Sequence, residues 1–242
     1  FTDLGLPRPD YHLEVGSGTH AQQTGNVMIK YEDVAMTDRP DWTVVVGDVN
    51  STAAVAMVCA KLHIPVVHLE AGLRSGDRSM PEEINRLVTD SISDLLWTPS
   101  PDGDAHLAAE GVPACRGERV GNIMLDSYEL MSEKIAADTT MRDLGLTEGQ
   151  YGVVTLHRPS NVDDKETLTL LVDEFEKVSA SVALVFPVHP RTRGNMEKFG
   201  LLERVKGIKG IHLIEPLGYI QFMNLVKSSA LAITDSGGLQ EE

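Results

Sequence analysis

The sequence predicts an α/β fold made of two doubly wound, parallel-sheet halves, on three observations. Short β-branched runs alternate with longer helical patterns along most of the 242 residues, the alternation of parallel sheets covered on both faces. The alternation pauses in a polar, Gly-containing stretch at 134–149 and then restarts. Polar residues close the apolar runs, which is where ligands sit in such sheets, beyond the carboxyl ends of the strands.

The elements follow in order. FTDLGLPRP at the start reads as loop and carries no Met, and the last residues run a short way into a helical pattern, so the chain reads as a fragment lacking both ends. Residues 43–48 (TVVVGD) predict a buried strand, nearly continuously apolar. Residues 51–62, rich in Ala, Val and Met, predict a well-covered helix. Residues 64–70 (IPVVHLE) predict the next strand. A helix starts at Pro81, where proline suits the first turn and Glu82 and Glu83 suit the helix dipole. Its Ile84, Leu87, Val88 and Ile92 share one face. Short strands follow at 95–100 and 119–122. After the joint, strands are expected at 151–157, 183–189, 211–217 and 231–236. A helix carrying Leu168, Leu171, Val172 and Phe175 follows the first of these, and one with Phe222, Leu225 and Val226 precedes the last. The domains are therefore expected at 1–135 and 150–242, with a linker at 136–149.

Composition narrows the function. With 21 basic and 36 acidic side chains the formal charge is −15, which argues against a nucleic-acid partner, since phosphate binding needs a basic footprint. No apolar run approaches the roughly 20 residues that cross a bilayer, so no membrane is expected. Two cysteines, Cys59 and Cys115, form neither a disulfide framework nor a zinc box. A reduced, cytoplasmic protein is expected.

The strand ends carry the candidate chemistry. Gly47-Asp48 closes one run and His68-Leu69-Glu70-Ala71-Gly72-Leu73-Arg74 the next. Carboxylates at neighbouring strand ends approach each other, and like charges held close turn one into a proton carrier near neutral pH. The plainer alternative is that Asp48 caps a helix and Glu70 pairs with Arg74. A metal site from His63, His68 and Glu70 is the weakest reading, because no third ligand has suitable spacing. His157-Arg158 and His189-Pro190-Arg191 end later strands and offer positive charge to an anion, or are surface loops. Asp235-Ser236-Gly237-Gly238 runs from a strand into a helix start, a turn able to present amides to a diphosphate. It is neither a P-loop nor a GxGxxG fingerprint.

Taken together, GDVNST (47–52), HLEAGLRSGD (68–77), MPEEINR (80–86), VTLHRPSN (154–161), FPVHPR (186–191) and TDSGGLQEE (234–242) resemble the non-hydrolysing UDP-N-acetylglucosamine 2-epimerases. The resemblance runs through essentially the whole chain. It implies the GT-B architecture, two Rossmann-like domains with the active site in the cleft between them, both incomplete here. It implies interconversion of UDP-GlcNAc and UDP-ManNAc by elimination of UDP and re-addition with inversion at C2, with no cofactor and no metal. It carries catalytic roles onto Asp48, Glu70, Glu82 and His157. Substrate contacts fall on Arg74, Arg158, His189, Ser236, Gly237, Gly238 and Glu242, with His189 matching a contact to a second, activating UDP-GlcNAc. A homodimer is implied for the full-length protein. The chain departs from many members at Arg158-Pro159-Ser160-Asn161, where they have Arg-Arg-Glu-Asn. A hydrolysing epimerase, a GT-B glycosyltransferase using a UDP-sugar, and an inactive nucleotide-binding fragment are the alternatives.

Overall fold

The computed structural model describes residue 5 and residues 7–241, which divide into two compact units, 7–123 and 124–241. No helix among the described residues is long and apolar enough to cross a membrane.

The first unit begins with α1 (His20–Thr37), an element the hydrophobic pattern did not predict. Its start is a capping box, Thr19 and Gln22 satisfying each other's backbone N–H groups. Then come β1 (Thr43–Val46), α2 (Asn50–Leu62), β2 (Val66–Leu69), α3 (Pro81–Ile92), β3 (Leu95–Thr98), α4 (Pro101–Ala109) and β4 (Gly117–Arg119). The strands form one parallel sheet in the order β1-β2-β3-β4. A parallel sheet needs helical crossovers, and α2, α3 and α4 supply them. Ala35, Val45, Ala56, Cys59, Ile64 and Val66 form the core between α1, α2 and the sheet.

Two expectations change here, and α3 adds a third observation. β1 is not buried throughout: Val45 is, but Val44 and Val46, which alternate with it and share the opposite face of the sheet, are half exposed among the described residues. The last strand is 117–119 rather than 119–122, and all three of its residues are exposed. In α3 Ile84 is exposed and Leu87, Val88 and Ile92 are half-buried, Ile92 packing on the core, while Glu83, Thr89 and Asp90 are fully buried.

The second unit contains α5 (Ile123–Ala137), α6 (Thr140–Asp143), β5 (Tyr151–Thr155), α7 (Pro159–Val162), α8 (Lys165–Ser179), β6 (Ala183–Pro187), α9 (Pro190–Phe199), α10 (Leu202–Gly207), β7 (Ile211–Ile214), α11 (Tyr219–Lys227), β8 (Leu231–Thr234) and α12 (Gly237–Glu241). Residues 136–149 lie inside this unit. Met141, Leu144 and Leu146 pack against Tyr151, Val153, Val185 and Leu225, and the buried Asn224 amide donates to the Ile135 and Asp138 carbonyls. The opposite core joins Val154, Leu168, Val172, Phe175, Phe186 and Met196, so both faces of the sheet are covered. The strand order is β7-β6-β5-β8, all parallel. The chain thus runs outward from β5 through β6 to β7, then returns to the other side of β5. That reversal is a topological switch point, the place where open parallel sheets bind ligands, and the segments leaving it are 156–158 and 235–238.

Candidate active site

In the first unit β1 and β2 pair with Val46 opposite Leu69, and the Gly47 N–H donates to the Leu69 carbonyl at 3.0 Å. The chain therefore leaves both strands side by side, Asp48 from one and Glu70 from the other. A methyl group built on Gly47 would lie 3.4 Å from Glu70 Oε2. Glu70 has φ +71°, a left-handed conformation that costs a non-glycine residue about 1–2 kcal/mol. The surroundings hold it there. The Ala71 N–H donates to the Trp97 carbonyl at 3.0 Å and the Gly72 N–H to Asp90 Oδ2 at 3.1 Å. His106 Nδ1 donates to the Gly72 carbonyl at 2.9 Å. Gly72, at φ +79°, lies against Gly103 so closely that an added methyl would sit 2.4 Å from its carbonyl oxygen. Strain of this kind, imposed by over-determined surroundings, is characteristic of functional positions.

Asp48 is steered from α3. Arg86 binds its carboxylate, and the Asn85 amide donates to its carbonyl at 2.9 Å. Arg86 also reaches Glu83 Oε2 at 3.2 Å. Of the two adjacent acids, Glu83 is the structural one: buried, it accepts the Ser75 and Gly76 N–H groups and the Ser75 hydroxyl. Burial alone would raise its carboxyl, but these donors and Arg86 bring it below the ordinary value. Glu82 is half-buried and has no hydrogen-bond or ion-pair partner among the described residues. Arg74, expected among the ligand contacts, has its guanidinium on Asp90 at 2.7 Å and on Glu110 at 2.7 Å, with its side chain 8 % exposed. The His68 ring contacts Asp90 and the Gly47 carbonyl, which leaves no ring nitrogen for a metal ion.

In the second unit Asp235 organises the switch point. Thr155 pairs with Thr234, and beyond that pair the Asp235 carboxylate accepts the His157 N–H at 3.0 Å, the Arg158 N–H at 2.9 Å and the Asn161 amide at 3.0 Å. It also accepts His157 Nδ1–H at 2.8 Å. Burial pushes this carboxyl up, yet Asn161, the two backbone donors and the His157 ring bring it below its usual value. Nδ1 faces a carboxylate, so it carries the proton and Nε2 is the free atom of a ring whose side chain is 44 % exposed.

The Arg158 guanidinium lies beside Gly237, 3.8 Å from where a methyl would be, and has no partner among the described residues. His189 accepts the Arg191 N–H at the start of α9, and its ring centroid is 6.0 Å from that of His157. Arg191 and Arg193 add no free charge, because they pair with Asp163 and Glu215. Ser236 Oγ accepts the Leu239 N–H at the start of α12, with Gly237 and Gly238 in its first turn. Glu242 lies outside the described residues. Asn161 is a position the sequence pattern did not single out; Asp235 closes a predicted strand and Glu83 suits the helix dipole, and the structure gives each of the two a set of backbone N–H groups to accept.

The first unit thus offers carboxylates at two adjoining strand ends, and the second an exposed histidine held by Asp235 beside an arginine with no partner among the described residues and two glycines. The family model for UDP-N-acetylglucosamine 2-epimerase matches residues 1–242. The UDP-N-acetylglucosamine 2-epimerase of Methanocaldococcus jannaschii is 43 % identical over 100 % of this chain and 68 % of its own length. The UDP-2,3-diacetamido-2,3-dideoxy-D-glucuronate 2-epimerase of Pseudomonas aeruginosa is 40 % identical, over 100 % of this chain and 66 % of its own. A crystal structure of the Methanocaldococcus jannaschii enzyme in complex with UDP-GlcNAc and UDP superimposes with a TM-score of 0.89 at 41 % identity, covering 100 % of this chain and 67 % of that one. The chain spans about two thirds of the length of these relatives.

Proposed function

The chain belongs to the UDP-N-acetylglucosamine 2-epimerase family, and we propose that the protein containing it interconverts UDP-GlcNAc and UDP-ManNAc without releasing free sugar. The observation that carries this reading is the pair of turns in the first unit, where Glu70 is held in a strained conformation beside Gly47-Asp48. Inversion at C2 requires a proton to leave one face of the sugar and return to the other. A carboxylate takes the C2 proton as the C1–O bond to UDP breaks and a double bond forms between C1 and C2. UDP then adds back to C1, and a proton is delivered to the opposite face of C2. Atoms and charge balance with no external oxidant or reductant. Asp48, Glu70 and Glu82 are the acids and bases of this scheme.

The second unit carries the diphosphate. Arg158 and the Ser236-Gly237-Gly238 turn supply cationic and N–H character where the departing UDP accumulates charge, with His157 beside them. A second UDP-GlcNAc acting near His189 belongs to the same proposal; rates rising sigmoidally with UDP-GlcNAc concentration are its expected signature, and hyperbolic rates would refute it.

The substrate class is a UDP-linked 2-acetamido sugar, and the similarity to the Pseudomonas aeruginosa enzyme makes a diacetamido uronate the second substrate to try. The test is proton NMR of UDP-GlcNAc with the full-length protein in D2O. Loss of the C2–H signal with growth of UDP-ManNAc supports the reading. Free ManNAc with UDP indicates the hydrolysing outcome instead, and an unchanged spectrum with either sugar nucleotide refutes the epimerase reading.

A further inference from the structure

The first unit contains a buried charged cluster that the proton-transfer scheme does not use. His68, on β2, is fully buried, and Asp90, on α3, is 1 % exposed. Asp90 Oδ1 and His68 Nδ1 are 2.6 Å apart. His68 Nε2 lies 2.8 Å from the Gly47 carbonyl, an atom that only accepts, so Nε2 carries a proton. The other Asp90 oxygen accepts the Gly72 N–H and Arg74, which Glu110 holds from its far side.

One ring therefore connects the residue before Asp48 to the residue two beyond Glu70. Both turns are bent into left-handed backbone, at Gly47, Glu70 and Gly72. We propose that His68, acting through Asp90, is a positioning residue that fixes the Asp48 turn and the Glu70 turn relative to each other. Neither side chain is exposed enough to touch a sugar, so neither is an acid or base of the reaction. Burying three ionisable groups is costly, and well-packed apolar residues of similar volume commonly serve stability as well or better. What the cluster provides that they could not is two directed contacts, one to each turn.

The inference rests on the epimerase reading for its kinetic consequence, and its structural content is testable apart from it. Two variants of the full-length protein separate the two arms. An asparagine amide overlays Nδ1 and a glutamine amide overlays Nε2. His68→Asn therefore keeps the contact to Asp90 and drops Gly47, while His68→Gln does the reverse. Misplacement of catalytic groups by about 1 Å costs on the order of 100-fold. Each variant is expected to lower kcat by roughly 10- to 100-fold and to leave KM for UDP-GlcNAc within about twofold. Amide hydrogen exchange should accelerate at 47–49 in His68→Asn and at 70–74 in His68→Gln, with β2 and α3 as protected as in the parent.

Folded variants with parental kcat, a rise in KM that matches the fall in kcat, or unchanged exchange in these turns would overturn the proposal. If the parent shows no epimerisation, the functional reading fails and the exchange comparison alone decides the tether. If both variants fail to fold, nitrogen-15 NMR of the histidines in the parent decides it. A hydrogen-bonded proton on His68 Nε2 is expected, and a bare Nε2 overturns the proposal.

Discussion

Replacing Asp235 by asparagine tests the organisation of the second unit most directly. The carboxylate accepts from His157 N, Arg158 N and the Asn161 amide at Oδ2, and from His157 Nδ1 at Oδ1. Asparagine can keep a carbonyl oxygen where the three N–H groups converge. Its NH2 then faces His157 Nδ1, and that contact survives only if the ring moves its proton to Nε2. Hydrogen bonds to a charged group contribute about 1.5–3 kcal/mol and neutral ones about 0.5–1.5 kcal/mol. Three bonds weakened from the first class towards the second, without full additivity, give a loss of about 2 kcal/mol at pH 7. The Asp235 side chain is 7 % exposed, so solvent screening removes little of this. Asp235→Ala, which leaves every donor unanswered, should lose about 3–5 kcal/mol.

The pH dependence has a definite sign. The folded carboxyl titrates below its ordinary value, so its contribution is complete above the unfolded value of about 3.9 and is lost as pH falls through the folded one. Urea denaturation of the full-length protein should therefore show a constant gap between parent and Asp235→Asn from pH 8 to about pH 5, closing in stronger acid. Nitrogen-15 NMR should show the His157 proton moved from Nδ1 to Nε2, and proton exchange at C2 of the sugar should slow by about 100-fold or more. Equal stability at pH 7, a gap that persists undiminished in acid, or a His157 tautomer that does not change would refute the assignment of Asp235 as the organising group.

Three further outcomes are expected. Glu83→Gln should cost about 2 kcal/mol at pH 7, because the carboxylate loses its charge-assisted bonds to Ser75, Gly76 and Arg86. The Glu83 carboxyl is depressed on folding, so urea curves should show this loss fading below about pH 4, and an equal loss at both pH values would contradict it. Gly72→Ala combines a left-handed backbone with a 2.4 Å approach to the Gly103 carbonyl, together about 3 kcal/mol, and should lower Tm by roughly 6–12 °C; an unchanged Tm would show that the turn relaxes. Arg158→Ala should leave stability within about 0.5 kcal/mol and weaken UDP binding about tenfold by calorimetry, and unaltered affinity would remove Arg158 from the diphosphate contacts.

How far these features were legible in the sequence depends on what each element is buried against. In the second unit, strands and helices packed on apolar cores appeared near their expected places, because Leu168, Val172 and Phe175 of α8 and the inner residues of β5 and β6 pack on one another. α1 escaped notice although Thr19 and Gln22 stand at capping-box spacing and Val27 and Ala35 are its buried positions. With so few buried positions in 18 residues, the stripe was too sparse to register against a polar background. β1 looked buried because an apolar run reports the hydrophobicity of a strand and not which faces are covered.

α3 shows the deeper reason. Its apolar Ile84, Leu87, Val88 and Ile92 share one face, which is exposed at Ile84 and half-buried elsewhere, while the structure fully buries Glu83 and Asp90, seven positions apart and hence on a common face. Those acids point inward because what they meet is made of donors: the Ser75 and Gly76 amides, the Gly72 amide, Arg74 and His68. Hydrophobic periodicity locates a packing face only where the neighbour is apolar. At a site the neighbour is a turn with unsatisfied N–H groups, and the helix answers with carboxylates. The mismatch between apolar stripe and buried face in α3 is therefore itself a marker of the site, and it falls on the helix whose Asn85 and Arg86 steer Asp48 and whose Asp90 holds the turn after Glu70.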